Sequence, residues 1–143
     1  MSTEENKVIA RRYWDAWNTG NVAILDEISS AGSIWHDGAG RVVHGIESAA
    51  KRGIPRFRTA FPDLHFSIED VFAEGDKVTV RWTAHGTHRG DMELVRNIPH
   101  TGRQVTWFGV DIYRIAGGKI MEGWRSWDRL GLLQQLGVVP ASA

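Results

Sequence analysis

The chain has 143 residues, 42% of them hydrophobic, with 17 Lys plus Arg against 17 Asp plus Glu and no cysteine. That length suits one domain over residues 1–143 with a single core and room for a cavity. Zero formal charge with no basic run between aromatics excludes a nucleic-acid surface, and the lack of cysteine excludes disulfides, thiol nucleophiles and thiolate metal sites.

No apolar run approaches the roughly 20 residues of a membrane span, and the polar start MSTEENKV has neither a basic n-region nor an apolar h-region. The expectation is a soluble cytoplasmic protein that does not engage a membrane. Seven tryptophans are many for this length, and Trp suits both a small core and the walls of an apolar ligand cavity.

In chain order, Ser2-x-x-Glu5 is a capping box for a helix over about residues 3–17, where Ile9, Tyr13, Ala16 and Trp17 recur at helical spacing. Asn18-Thr19-Gly20-Asn21 stops it, and Asn21 caps a short second helix with Val22, Leu25 and Ile28 on one side. Residues 33–38, SIWHDG, read as a short strand that places His36 and Asp37 where an element ends. Residues 45–61 predict a third helix interrupted near Pro55, its Arg52, Arg56 and Arg58 forming a solvated basic side.

Strict alternation in residues 64–69, LHFSIE, signals a strand, and Glu74-Gly75-Asp76 turns it into a second one over residues 77–88. On that strand Val78, Val80, Trp82 and Ala84 face inward. Residues 90–103 lose period and form a loop long enough to cover a cleft. The next strand, residues 104–115, sets Val105, Trp107, Gly109, Asp111 and Tyr113 on one face and Phe108, Val110 and Ile112 on the other. Both faces read as covered, one by helices and one by a partner subunit, so a homodimer is expected. A Gly117-Gly118 turn leads to a returning strand that ends near Trp127, and Asp128 caps a final helix. Helices segregated to one face of a curved antiparallel sheet give an α+β fold, a cone with N-terminal helices and a C-terminal helix.

Several stretches carry a family resemblance: RRYWDAWNTGN, IWHDGAG, FPDLHFSIEDVFAEGDKVTVRWTAHGTHRG, TGRQVTWFGVDIYRIAGGKIMEGW and WDRLGLLQQLG. Together they cover nearly the whole chain, which resembles the SnoaL-like polyketide cyclases of the nuclear transport factor 2-like superfamily. The resemblance implies the cystatin-like α+β cone and intramolecular aldol cyclisation, or a related isomerisation, of a small hydrophobic, polyketide-like or polycyclic substrate, without metal or organic cofactor. It places the family's acid/base positions on Asp111, where the cyclases carry His, and on Arg125, where they carry Asp. That departure leaves open epoxide-hydrolase-like water addition and a non-catalytic hydrophobic-ligand-binding protein.

The residues themselves nominate Asp111 first. A carboxylate among apolar walls is short of solvation and becomes a usable base, whereas pairing with Arg125 would make it structural. His36 and Arg125 are the candidate oxyanion stabilisers, and Asp128 is either a further acid or a helix cap. Tyr13, Trp17, Trp35, Trp82, Trp107 and Trp127 are the candidate substrate-binding aromatics. Trp124 and Trp127 lie on opposite faces of their strand, so one of the two is expected at the pocket. His85 and His88, three apart on a strand, point opposite ways and lack a third ligand at a suitable interval, so no metal is expected.

Overall fold

The computed structural model describes residues 2–38, 40–94 and 96–141. Helix α1 (Thr3–Thr19) opens with the predicted capping box: the Glu5 N–H donates to Ser2 Oγ at 3.1 Å, and the Ser2 N–H donates to Glu5 Oε1 at 3.3 Å. Gly20 closes it at a φ of 79°, a left-handed conformation that side chains with a Cβ avoid. Helix α2 (Ala23–Ile28) begins after a turn in which the Ala23 N–H donates to Asn21 Oδ1 at 3.2 Å.

Strands β1 (Ser29–His36) and β2 (Val42–His44) come next, followed by a single π-helical turn at Glu47–Lys51 and helix α3 (Gly53–Ala60). The break in the predicted third helix therefore falls at Arg52 instead of Pro55. Pro55 sits in the first turn of α3, where its missing N–H has no helical acceptor to lose.

The rest of the chain is β3 (His65–Glu74), β4 (Lys77–Thr87), the two short strands β5 (Met92–Glu93) and β6 (Asn97–Ile98), β7 (Gln104–Ala116), β8 (Lys119–Trp127) and α4 (Arg129–Gln135). Six strands form one curved sheet in the order β2-β1-β8-β7-β4-β3, the expected mixed α+β architecture. Every pairing in it is antiparallel except β1 with β8, which run parallel. Most of the chain lies between those two strands, long enough to make the crossover that a parallel pair needs.

Helix α1 lies across β3 and β4, and Ile9, Ala10, Tyr13, Trp14, Ala16 and Trp17 are buried along it. Trp14 meets Phe66 at 4.8 Å and Trp82 at 5.2 Å between ring centroids. A buried tryptophan of this kind removes roughly 150–250 Å² from water, an upper estimate of about 4–6 kcal/mol. The end of the helix is pinned to the sheet: Asn18 donates to the Phe66 carbonyl at 3.0 Å and accepts from the Phe66 N–H at 2.7 Å.

Strand β7 alternates along its whole length, with Trp107, Asp111 and Tyr113 inward and Phe108 and Val110 outward. The outward face is open in one copy of the chain, Phe108 being 58% exposed. Before Gly109 strand β7 has no β8 partner, and Asp128 and α4 supply one. The Asp128 N–H donates to the Phe108 carbonyl at 2.9 Å, and the Gln135 side chain takes both the N–H and the C=O of Thr106 at 2.9 and 2.7 Å. Among the described residues no helix is long and apolar enough to cross a membrane.

Candidate functional site

The hairpin of β7 and β8 sets Asp111 directly opposite Arg125, Tyr113 opposite Gly123 and Gly109 opposite Trp127. On the other flank Val80 pairs with Asp111 and Trp82 with Gly109, so Trp82 is the diagonal neighbour of Asp111 on the inner face. A Cβ at Gly109 would run into the Trp82 ring and lie 2.8 Å from the Ser126 carbonyl oxygen. The bare backbone there is what allows the indole to lie flat and reach the carboxylate. Gly123 does the same for Trp35, whose ring occupies the place of a side chain.

Asp111 is fully buried, and both its oxygens are occupied. Oδ1 accepts from Trp82 Nε1 at 3.1 Å and Arg125 Nε at 3.0 Å; Oδ2 accepts from the Tyr113 hydroxyl and Arg125 Nη2, each at 2.7 Å. The pair is bidentate, the geometry in which Arg and carboxylate bind most firmly. Arg125 Nη2 also donates to the Tyr13 hydroxyl at 2.8 Å, and its guanidinium lies 5.4–5.8 Å from the ring centroids of Tyr13, Trp14 and Trp17. Burial opposes the charge on Arg125, but the Asp111 carboxylate and the surrounding phenol oxygens outweigh it and hold the guanidinium well above its ordinary range. Burial first, then the Asp111 charge, pushes the Tyr113 phenol well up, so it remains a donor.

In front of this network lies a cavity of about 240 Å³, at the small end for ligand sites. Its walls are Trp14, Trp17, Phe66, Trp82 and Trp107, with Phe57 and Trp127 nearer the surface. Arg125 lines it and Asp111 does not. The side chain of Arg125 is 20% exposed against 0% for Asp111, so the cavity meets the cation and the acid stands behind it. Nε and Nη2 are spent on Asp111 and Tyr13, and among the described residues Nη1 makes no hydrogen bond. The arrangement can stabilise negative charge that develops on a ligand oxygen.

The structure brings Trp17, Trp82, Trp107, Trp127 and Arg125 to one cavity. Tyr13 and Trp35 stack on each other at 5.4 Å and lie behind it, Tyr13 supporting Arg125. His36 is on the opposite face of the sheet, stacked on Trp124 at 5.3 Å and bonded to Glu122 at 2.7 Å. Trp127 is thus the member of its pair that reaches the cavity. Asp128 caps α4, accepting from the Gly131 N–H at 2.9 Å, and does not line the cavity.

Trp14 was not singled out from the sequence, although positions 10, 13, 14 and 17 together make the wide apolar stripe of a core-facing helix. The arginines of α3 divide. Arg58 holds the carbonyls of Trp17, Asn18 and Leu64 at 3.0–3.4 Å, while Arg56 lines the cavity. Of the expected covering loop, Met92 and Ile98 of the small β5/β6 hairpin are buried, and Glu93 and Leu94 line the cavity. Among the described residues no group of three or more His, Asp or Glu side chains is placed to hold a metal ion.

This chain belongs to the SnoaL-like polyketide cyclase family, whose sequence model matches residues 7–136. Three solved structures similar to it agree over nearly its whole length. AclR of Streptomyces galilaeus, named as a candidate hydroxylase, is 27% identical with a TM-score of 0.85, covering 99% of this chain and 87% of that one. A candidate polyketide cyclase from Acidithiobacillus ferrooxidans is 30% identical with a TM-score of 0.76, covering 96% and 99%. IdmH, a candidate polyketide cyclase from Streptomyces antibioticus, is 26% identical with a TM-score of 0.76, covering 92% and 98%. No curated protein sequence matches the chain.

Proposed function

We propose that the chain is a small-molecule enzyme of cyclase or isomerase type that closes a ring within a hydrophobic, carbonyl-bearing substrate held in the tryptophan-walled cavity. The family and its structural neighbours support that reaction class. The observation that carries the site assignment is Arg125, a half-buried cation held by Asp111 at the wall of a tryptophan-lined cavity.

In an intramolecular aldol step a proton leaves the carbon between two carbonyls, and the resulting enolate carbon bonds to a carbonyl carbon of the same molecule. The new alkoxide then takes up a proton, so the mass is unchanged. Arg125 Nη1 is the group for the enolate and alkoxide oxygens, where a charge held in place beforehand stabilises the developing anion. Asp111, with both oxygens committed to four donors, acts as the positioning residue for Arg125. Glu93, the one acid among the described residues that line the cavity, takes the carbon-bound proton.

The test supplies an aromatic poly-β-carbonyl precursor and follows the ring-closed isomer by NMR. Arg125→Lys keeps the charge but loses the fork, and its turnover falls by about 10²-fold, the scale of one lost oxyanion donor. Glu93→Gln falls by a similar or larger factor, within about 10²- to 10⁴-fold. Turnover unchanged in both variants would remove the assignment.

One observation favours the non-catalytic reading: the Asp111–Arg125 pair is complete without a ligand. If the protein is only a receptor, the same precursor binds and is recovered unchanged. The open outer face of the sheet, with Phe108, Val110 and Phe72 exposed, supports pairing with a second copy, because an apolar surface of this extent is better covered than wetted.

A further inference from the structure

We infer that the ligand of the cavity is an aromatic or polycyclic carboxylate: a flat apolar body seated among the tryptophans, with an anionic group held at the opening by Arg56 and Arg129. This rests on the reading of the cavity as the substrate site and adds the substrate's charge to it.

The chain as a whole is balanced, 17 basic against 17 acidic residues, but the cavity lining is not: Arg41, Arg56, Arg125 and Arg129 face one acid, Glu93. Two of these cations are accounted for. Arg125 is neutralised by Asp111 at 2.7 Å, and Arg41, 76% exposed, reaches Asp37 at 3.7 Å. Arg56 and Arg129 have no ion-pair partner among the described residues; Arg56 is exposed to solvent, whereas Arg129 Nε is buried with no hydrogen-bond partner.

A buried guanidinium N–H without an acceptor is costly to leave unmade, and a planar carboxylate is the acceptor whose two oxygens match the guanidinium fork. The neutral body follows from the walls, where the tryptophan rings offer flat apolar area. A ligand built this way satisfies the rim and the walls at once; a neutral hydrocarbon leaves Arg129 Nε unmet, and a small inorganic anion leaves the aromatic walls wet.

The test compares anthraquinone-2-carboxylate with its methyl ester, read by quenching of tryptophan fluorescence at low salt. The carboxylate should bind about tenfold more tightly than the ester. Arg56→Gln and Arg129→Gln should each reduce that preference and leave the ester's affinity unchanged, whereas Arg11→Gln, on the exposed side of α1, should alter neither. Equal affinity for the two probes, or a preference that survives in both cavity variants, overturns the carboxylate while leaving the cavity as the site. If neither probe binds, or if binding is unchanged in Trp127→Ala, the cavity itself is not the site, and both readings fall.

Discussion

Asp111 and Arg125 are each difficult to bury and are stable only together. Removing one partner leaves the other uncompensated, which costs about 3–5 kcal/mol in a closed interior. Because Arg125 still meets the cavity, Asp111→Asn should cost nearer 3 kcal/mol by urea unfolding. Replacing both, with Asp111→Leu and Arg125→Met, should restore most of that stability, since an apolar pair of similar volume avoids the desolvation of two ions. Gly109 is the other single residue on which the network depends. Gly109→Ala places a methyl against the Trp82 ring, and overpacking of that kind costs about 1–3 kcal/mol. The same unfolding curves check it, together with a change in the near-UV signal of Trp82.

Among the elements, the loop of residues 90–103 is held by His88, which is fully buried beneath it. The Thr101 N–H donates to His88 Nδ1 at 3.1 Å, so that nitrogen must stay unprotonated. Burial first, then the charge of His100, lowers the His88 pKa, with Asp91 opposing. A histidine whose folded pKa lies below its unfolded value stabilises fully above that unfolded value, about 6.5, and the contribution is lost as pH falls toward the folded pKa. Unfolding free energy should therefore decline as pH is lowered from 7.5 to 5, and His88→Gln should flatten that part of the profile.

The same elements mark what could be read beforehand. The capping box and the hairpin turns were legible because each is a local pattern of two to four residues, and the inward set of β7 because a strand alternates with a period of two. The face to which His36 belongs was not. It depends on β1 pairing with β8, residues almost ninety positions away, and no local pattern encodes that register. The separate fates of Arg56 and Arg58 were hidden for a like reason: one turns to the cavity and the other to the end of α1 only because of how α3 is seated. The sealing of Asp111 by four donors likewise needed the cross-strand neighbours Trp82 and Arg125 to be known together.

For the molecule as a whole, the sheet has two unlike faces. The concave one holds the cavity, and the outer one carries Phe108, Val110 and Phe72 in the open. Sedimentation at micromolar concentration should give a dimer, and Phe108→Lys should shift it to monomer without loss of helix content; a monomeric parent chain would remove the proposed pairing. The cavity lies on the other face, so monomeric Phe108→Lys should retain the affinity for anthraquinone-2-carboxylate.

The central claim is that Arg125 presents its charge to a ligand oxygen. It is tested most directly by the ionisation of 2-naphthol bound in the cavity, followed by absorbance at fixed pH. In the parent chain the ionised fraction should exceed that of free 2-naphthol by about tenfold, a preference worth about 1.4 kcal/mol, and the Asp111→Leu, Arg125→Met double variant should abolish the excess. A bound naphthol that ionises no more readily than the free compound would contradict the account.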